Sequence, residues 1–431
     1  MGNYSKRLHT VIPGGAHTYS RGDDQFPSNA PQILAGGKGA YVFDPEGKRY
    51  LDYGMGLRAV NIGYAEDEID AAAIVQIKKG NNLTRPSVIE LEAAELLVEL
   101  IDSVDMVKFT KNGSTAVSAA VKLARAYTAR ELVARCVDHP FFSYDDWFIG
   151  STPITLGIPQ STIEQTKLFQ YNDIASLEAL IDQYPGQFSC VVLEPAAAEE
   201  PKDNFLQRVQ DVCQKNGIVF VLDEMITGFR WHMKGAQHLY GVTPDISTFG
   251  KAMANGFSVA CIAGRREIME LGSIEIEGRE RVFLLSTTHG AEMCGLGAFV
   301  ASMGFMQQHK VVEHLWGYGR RLVAMMQRQA DKHGIGHSFK VGGIPCSPFY
   351  LTLDASGANS LALRTLFSQE MIRNGVLMPW LALSYRHGEE ELITTEHAID
   401  QTFTIYRHAL EDGVEKYLKG PTIKSVFRKY N

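Results

Sequence analysis

The sequence has few of the features that mark a secreted, membrane-bound or nucleic-acid-binding chain. Its six cysteines (136, 190, 213, 261, 294 and 346) are scattered, with no CxxC or CxxH spacing. That pattern excludes a disulfide framework or a structural zinc site and suits reduced thiols. No run of 18 apolar residues occurs, so no membrane-spanning helix is expected. The opening MGNYSKRLHTVIPGG has no apolar h-region, so no secretory signal is expected. Gly2 and Ser5 give only the loose outline of a myristoylation signal, and the expectation is a plain cytoplasmic N-terminus. Basic residues are not in excess: 42 Lys and Arg stand against 49 Asp and Glu, a formal charge of −7. A nucleic-acid groove or an anionic membrane surface would call for the opposite balance. No GxxxxGK[ST] motif, internal repeat or low-complexity tract is present.

What is present suits a large soluble enzyme. A chain of 431 residues, 45% hydrophobic and 21% charged, can bury the core of two or three lobes. Residues 1–68 are rich in glycine and turn signals, with strand-like AYVFD (40–44) and RYLDY (49–53), and read as a small β-meander. From residue 88 helical and strand patterns alternate. VIELEAAELLVELI (88–101) and STAVSAAVKLARAYTAR (114–130) read as helices, and MVKFT (106–110) as a strand. CVVLEP (190–195), IVFVLDE (218–224), DISTFG (245–250) and SVACIAG (258–264) are further short apolar strands, with the helix NFLQRVQDVCQKNG (204–217) among them. Such alternation predicts a mostly parallel α/β sheet covered on both faces. A long helical pattern over about 291–334 leads into a last α+β segment. The expected division is an N-terminal segment (1–68) and a C-terminal segment (311–431) forming a small domain, with a large domain at 69–310.

Ligands of open α/β sheets sit at the carboxyl ends of the strands. Four polar groups fall at such ends: Asn112-Gly113-Ser114, Glu194, Asp223 and Lys251. A Gly-Ser pair opening a helix offers free N–H groups and a hydroxyl to a phosphate, although Ser114 alone reads more readily as an ordinary N-cap. Asp223 can hold a protonated nitrogen in a low-dielectric site, or serve as a cap or a salt-bridge partner of Arg230. A lysine at the mouth of a buried strand suits a Schiff base, where no free ammonium is buried; the structural alternative is snorkelling or pairing with Glu224 or Asp245. Together, a phosphate nest, a strand-end Asp and a strand-end Lys are the three fixtures that pyridoxal 5'-phosphate requires.

The stretches VIPGGAHTYSRG, GKGAYVFDPEGKRYLDY, KNGSTAVSAAVKLARAYTAR, VVLEP, LDEMITGFR, PDISTFGKAMANG and STTHGAE resemble the class III, fold type I pyridoxal-phosphate aminotransferases. Within them the wording is similar to the glutamate-1-semialdehyde aminomutase-like branch. The resemblance implies that Lys251 bonds the cofactor and Asp223 partners its ring nitrogen. Gly113 and Ser114 would bind the phosphate, and Glu194 would lie near the ring and substrate. Thr287 matches a threonine that reaches the phosphate in a neighbouring subunit, which implies a homodimer with shared active sites. The chain departs from the family at Thr115, where glutamate is usual. It also has CVDHPFFSYDDW (136–147) in place of the usual aromatic-His-Gly motif, so that His139, Phe141 and Phe142 are all candidates to cover the ring. His289 and Glu292 follow Thr287, and either is a candidate to face substrate or, for Glu292, to cap a helix.

Arg21 matches an arginine with which the aminomutases hold a carboxylate, but Asp23 and Asp24 beside it depart from their pattern. Leu57 and Arg58 replace an aromatic position, with a salt bridge from Arg58 to one of those aspartates as its structural alternative. These departures look like the aminotransferases that accompany cell-envelope polysaccharide genes. The expected activity is intermolecular transfer of an amino group to an aldehyde or ketone, with a sugar or polyol derivative as acceptor. The alternatives are glutamate-1-semialdehyde aminomutase, a non-catalytic binding protein of the same fold, or a decarboxylase or racemase.

Overall fold

The computed structural model describes residues 3–431; Gly2, half of the loose lipidation signal, lies outside the described residues. The strands, in chain order, are β1 (Gly36–Lys38), β2 (Tyr41–Phe43), β3 (Arg49–Asp52), β4 (Met106–Thr110), β5 (Leu132–Cys136), β6 (Thr166–Phe169), β7 (Phe188–Leu193), β8 (Val219–Asp223), β9 (Ile246–Phe249), β10 (Ala260–Gly264), β11 (Phe339–Ile344), β12 (Ser347–Thr352) and β13 (Val376–Leu377). The chain divides into two compact units, residues 3–66 with 313–431, and residues 67–312.

In the first unit the strands run β1-β2-β3-β13. The first three are antiparallel and β13 joins β3 in parallel, through Val376 opposite Leu51. The meander predicted from residues 40–53 therefore takes its last strand from more than 300 residues away. β11 and β12 form a separate hairpin, also within this unit.

The second unit is built on a seven-stranded sheet in the order β4-β10-β9-β8-β7-β5-β6. Strands β6, β5, β7, β8 and β9 are mutually parallel, and β10 is antiparallel to both β9 and β4. It follows that β4 points the same way as the parallel set, and that the carboxyl ends of six strands share one edge. Strands β7 and β8 are buried along their whole length, which is why they read as continuous apolar runs rather than alternating ones. Helix Val88–Leu100 opens with a capping box between Ser87 and Glu90. Helix Phe205–Asn216 ends at Gly217, whose φ of 61° closes the last turn without strain. Leu206, Val209, Phe220 and Leu222 lie in one core cluster between this helix and the sheet.

The six cysteines are free, five of them buried. Among the described residues no helix is long and apolar enough to cross a membrane.

Candidate active site

The polar residues picked from strand ends meet one sheet edge. Helix Gly113–Thr128 begins two residues after β4, and its N-cap is Asn112, whose side chain accepts from Thr115 N–H at 2.9 Å. Ser114 is thus not the cap. The N–H groups of Gly113 and Ser114 fall in the first turn, where an α-helix supplies no internal acceptor. Ser114 Oγ accepts from Tyr144 N–H at 3.2 Å, which leaves its own proton for an anion. Thr115 donates to Asn112 Oδ1 at 3.0 Å, so its hydroxyl reinforces the cap where the family's glutamate is missing.

Asp223 ends β8 and is 2% exposed. Its Oδ1 accepts from Met225 N–H and Thr248 Oγ1–H, each at 3.0 Å. Oδ2 remains for a further donor. Burial pushes the carboxyl up to about 6, while the Lys251 ammonium and the two donors pull it down.

Lys251 follows β9 and Gly250 with a φ of 44°, a left-handed conformation that costs a non-glycine residue about 1 kcal/mol or more. Both carboxylates that offered a structural explanation for it have other partners. Glu224 accepts from Ala236 N–H at 2.9 Å, Gln237 N–H at 2.8 Å and the Thr227 hydroxyl. Asp245 accepts from Phe220 N–H at 2.8 Å and Arg265 at 2.5 Å. Met225 is wedged between two glycines: a Cβ on Gly113 would lie 2.8 Å from its sulfur, and one on Gly250 2.6 Å. Helix start, strand end and lysine turn are therefore drawn together as closely as the backbone permits.

The segment after β5 is sorted by burial. His139 is 1% exposed, and its Nδ1 accepts from Glu194 N–H at 3.0 Å. Burial pushes the imidazole down to about 3, so it is neutral. Phe142, 2% exposed, packs edge-on against His139 and Phe148. Phe141, 47% exposed, is the one of the three candidates whose ring a ligand can reach. Glu194, at the end of β7, is buried.

Thr287 and His289 lie in an exposed loop, just after Leu285 and Ser286 at φ of 62° and 85°. Glu292 does begin helix Met293–Gln308, but without a side-chain cap. Its carboxylate instead pairs with Lys111 at 2.6 Å and accepts from Asn81 Nδ2 at 2.9 Å. Asn82 Nδ2 meets His289 Nδ1 at 3.3 Å.

Arg21 and Arg58 belong to the first unit. Arg21 lines a cavity of about 820 Å³ there, together with Leu57, Tyr64 and Trp380. Met55, Gly56, Leu57 and Arg58 all have positive φ, a left-handed turn pinned by Asp52 accepting from Gly54 N–H at 2.7 Å and Met55 N–H at 3.0 Å. Asp23 is taken by His9 at 2.9 Å and Asp24 by Arg428 at 2.6 Å. Sequence reasoning missed Thr248 and Met225. The available signal was the pair of hydroxyls, Ser247 and Thr248, in a strand beside the one that ends in Asp223.

The second unit's donor set fits pyridoxal phosphate: an anion nest at a helix start, a buried carboxylate with one oxygen to spare, and a strand-end amine across a two-glycine cradle. Fold and donors together are those of a pyridoxal-phosphate-dependent transferase. Residues 25–410 match the family model Aminotransferase class-III, and the chain belongs to that family.

The chain is 31% identical over 403 residues to the 3-aminobutyryl-CoA aminotransferase of Cloacimonas acidaminovorans (strain Evry), covering 91% of this chain and 94% of that one. The FumI protein of Sphingopyxis sp. MTA144, solved as the PLP internal aldimine form, matches with a TM-score of 0.87 and 25% identity, over 95% of this chain and 97% of that one. A glutamate-1-semialdehyde aminomutase from Pseudomonas aeruginosa PAO1 matches with a TM-score of 0.82 at 18% identity, over 94% of each chain; this likeness is one of fold. The aminomutase-like branch expected from the sequence is thus not singled out, whereas the class III aminotransferase assignment holds.

Proposed function

We propose that this aminotransferase carries out intermolecular transfer between an amine donor and an aldehyde or ketone acceptor, and that the amine-bearing carbon of one partner lies β to an acyl group. The observation that carries this reading is the end-to-end similarity to a 3-aminobutyryl-CoA aminotransferase. The sugar or polyol acceptor expected from the sequence rests only on the departures at Asp23-Asp24 and Leu57-Arg58, and so takes second place.

Pyridoxal phosphate, when bound, supplies the carbonyl that takes up the amino group and a ring that accepts the electron pair left at the donor carbon. The N–H groups of Gly113 and Ser114, with the Ser114 hydroxyl, hold the phosphate at the helix start. Asp223 Oδ2 keeps a proton on the ring nitrogen, in a setting where burial makes the charge pair strong. Lys251 Nζ would anchor the cofactor at rest and, when freed, would serve as the base that moves a proton between the donor carbon and the cofactor's carbonyl carbon. Phe141 would cover the ring, Glu194 would lie near the ring and substrate, and Arg21, Arg58 and His289 would serve the substrate's polar end. Thr287 reaches the phosphate of a second copy in a homodimer.

The test is a donor and acceptor screen on the purified holoenzyme, following the visible absorption of the bound cofactor. 3-Aminobutyrate, or its thioester, is expected to bleach the band, and a 3-oxo acceptor to restore it. An amino sugar acting as sole effective donor would replace the β-amino class by the sugar reading. Brisk formation of 5-aminolevulinate from glutamate-1-semialdehyde, with no other donor, would overturn intermolecular transfer.

A further inference from the structure

Thr248 is fully buried on β9, directly opposite Asp223 in the parallel ladder of β8 and β9. Its Oγ1 donates to Asp223 Oδ1 at 3.0 Å, and its carbonyl accepts from Glu224 N–H at 2.9 Å. With Met225 N–H on the same oxygen, two fixed donors set the plane of the carboxylate and thereby the direction in which Oδ2 is presented. A valine would fill the same space in the strand without the hydroxyl donor.

We propose that Thr248 is a positioning residue for Asp223: its hydroxyl fixes the carboxylate and favours the ionised form, so that Oδ2 can hold the proton of the cofactor's ring nitrogen. The inference rests on the role of Asp223 given above. The charged groups around Asp223 are Lys251 after β9 and Glu224 on its own strand end. Glu194 follows Leu193 of β7, which pairs with Leu222 beside Asp223. Helix Gly113–Thr128 packs its uncharged residues inward, among them Ser114, Ala116, Val117 and Ala120. Burial raises the Asp223 carboxyl, and the Thr248 hydrogen bond is among the contacts that oppose this. Loss of that bond therefore moves the ionisation to higher pH.

The experiment compares wild-type, Thr248→Val, Thr248→Ser and Asp223→Asn holoenzymes in the single-turnover half-reaction with an amine donor from pH 5 to 9. The pH titration of the bound cofactor's visible band is recorded on the same samples. Thr248→Val is expected to slow the half-reaction ~10-fold or more, the worth of a hydrogen bond to a charged group, with donor half-saturation unchanged. Its acid limb and band transition should both move up by about one pH unit. Thr248→Ser, which keeps the hydroxyl and deletes a methyl, should restore both profiles. Wild-type rate and pH profiles in Thr248→Val, or an equal loss in the Ser and Val variants, would overturn the proposal. If Thr248→Val does not fold, Thr248→Cys, a far weaker donor, is read by the same criteria. Asp223→Asn separates the two levels. A wild-type rate there removes the role of Asp223 itself; a dead Asp223→Asn beside an unaffected Thr248→Val removes only the role of Thr248.

Discussion

His139 Nδ1 accepts the backbone N–H of Glu194 at 3.0 Å, and this bond ties the segment after β5 to the end of β7. The ring is held neutral by burial, at about 3 against 6.5 in the unfolded chain. Between those values the unfolded chain binds a proton that the folded chain refuses. His139 therefore subtracts stability as pH falls below about 6.5, by up to ~1.4 kcal/mol per unit. His139→Leu should cost about 1–3 kcal/mol at pH 7, because the Glu194 N–H loses its acceptor. That deficit should shrink by about 2 kcal/mol at pH 5, where only the wild type carries the histidine penalty. Urea melts of the two proteins at both pH values measure the change. A deficit independent of pH would mean that His139 titrates alike in the folded and unfolded chains, against the burial shift.

Gly250 is where the lysine turn has least room. A Cβ there would meet Met225 Sδ at 2.6 Å and Ala260 Cβ at 3.2 Å, the first a flexible side-chain atom and the second part of a packed strand. Gly250→Ala should cost about 1–3 kcal/mol by overpacking and slow the uptake of pyridoxal phosphate by the apoprotein. Trimming Met225 to Ala in the same chain should recover part of the uptake rate, although it adds a cavity cost of its own. Fluorescence quenching during reconstitution reads the rate. No recovery in the double variant would place the obstruction at Ala260.

Thr287 offers a prediction about assembly. It lies in an exposed loop, while Lys251 begins the turn after β9. If Thr287 serves the site of a second copy, Lys251→Ala and Thr287→Ala homodimers are each impaired, but a hybrid dimer holds one intact site and one with both defects. Mixing the two variants under subunit exchange should then raise activity to about a quarter of wild type, with half the dimers hybrid and one good site in each. If Thr287 acts within its own chain, every site keeps one defect and mixing restores nothing.

The sheet was legible at β7 and β8, because β7 from Cys190 onward and β8 carry apolar runs that end at a polar residue. β6 was not: TKLF exposes one residue and half-buries another, and nothing local distinguishes it from a loop. β13 has two residues and exists only through β3, a pairing that no local window contains. The helical pattern at 291–334 is two helices, Met293–Gln308 and Val311–Lys332, broken at Lys310 with a φ of 51° and no glycine or proline to announce it. At the site, Lys251, Asp223 and Ser114 stood out because charge or hydroxyl at a strand end is costly without a partner. Thr248 did not, since threonine is an ordinary strand former.

The remaining ambiguity of the sequence, which aromatic covers the ring, becomes a contrast between neighbours. Phe142 is 2% exposed and Phe141 47%. Phe142→Ala removes a side chain from a closed cluster with His139 and Phe148 and should cost about 3–5 kcal/mol of stability. Phe141 is half-exposed and meets Phe148 edge-on, so the stability cost of Phe141→Ala should stay below about 1.5 kcal/mol, the range of a single aromatic pair. Its effect should fall on the cofactor instead, as faster loss of pyridoxal phosphate on dialysis and an altered visible band, both recovered by Phe141→Tyr. Thermal melts and dialysis half-times measure the two effects independently. A Phe141→Ala protein that retains its cofactor as long as the wild type would take this ring off the cofactor.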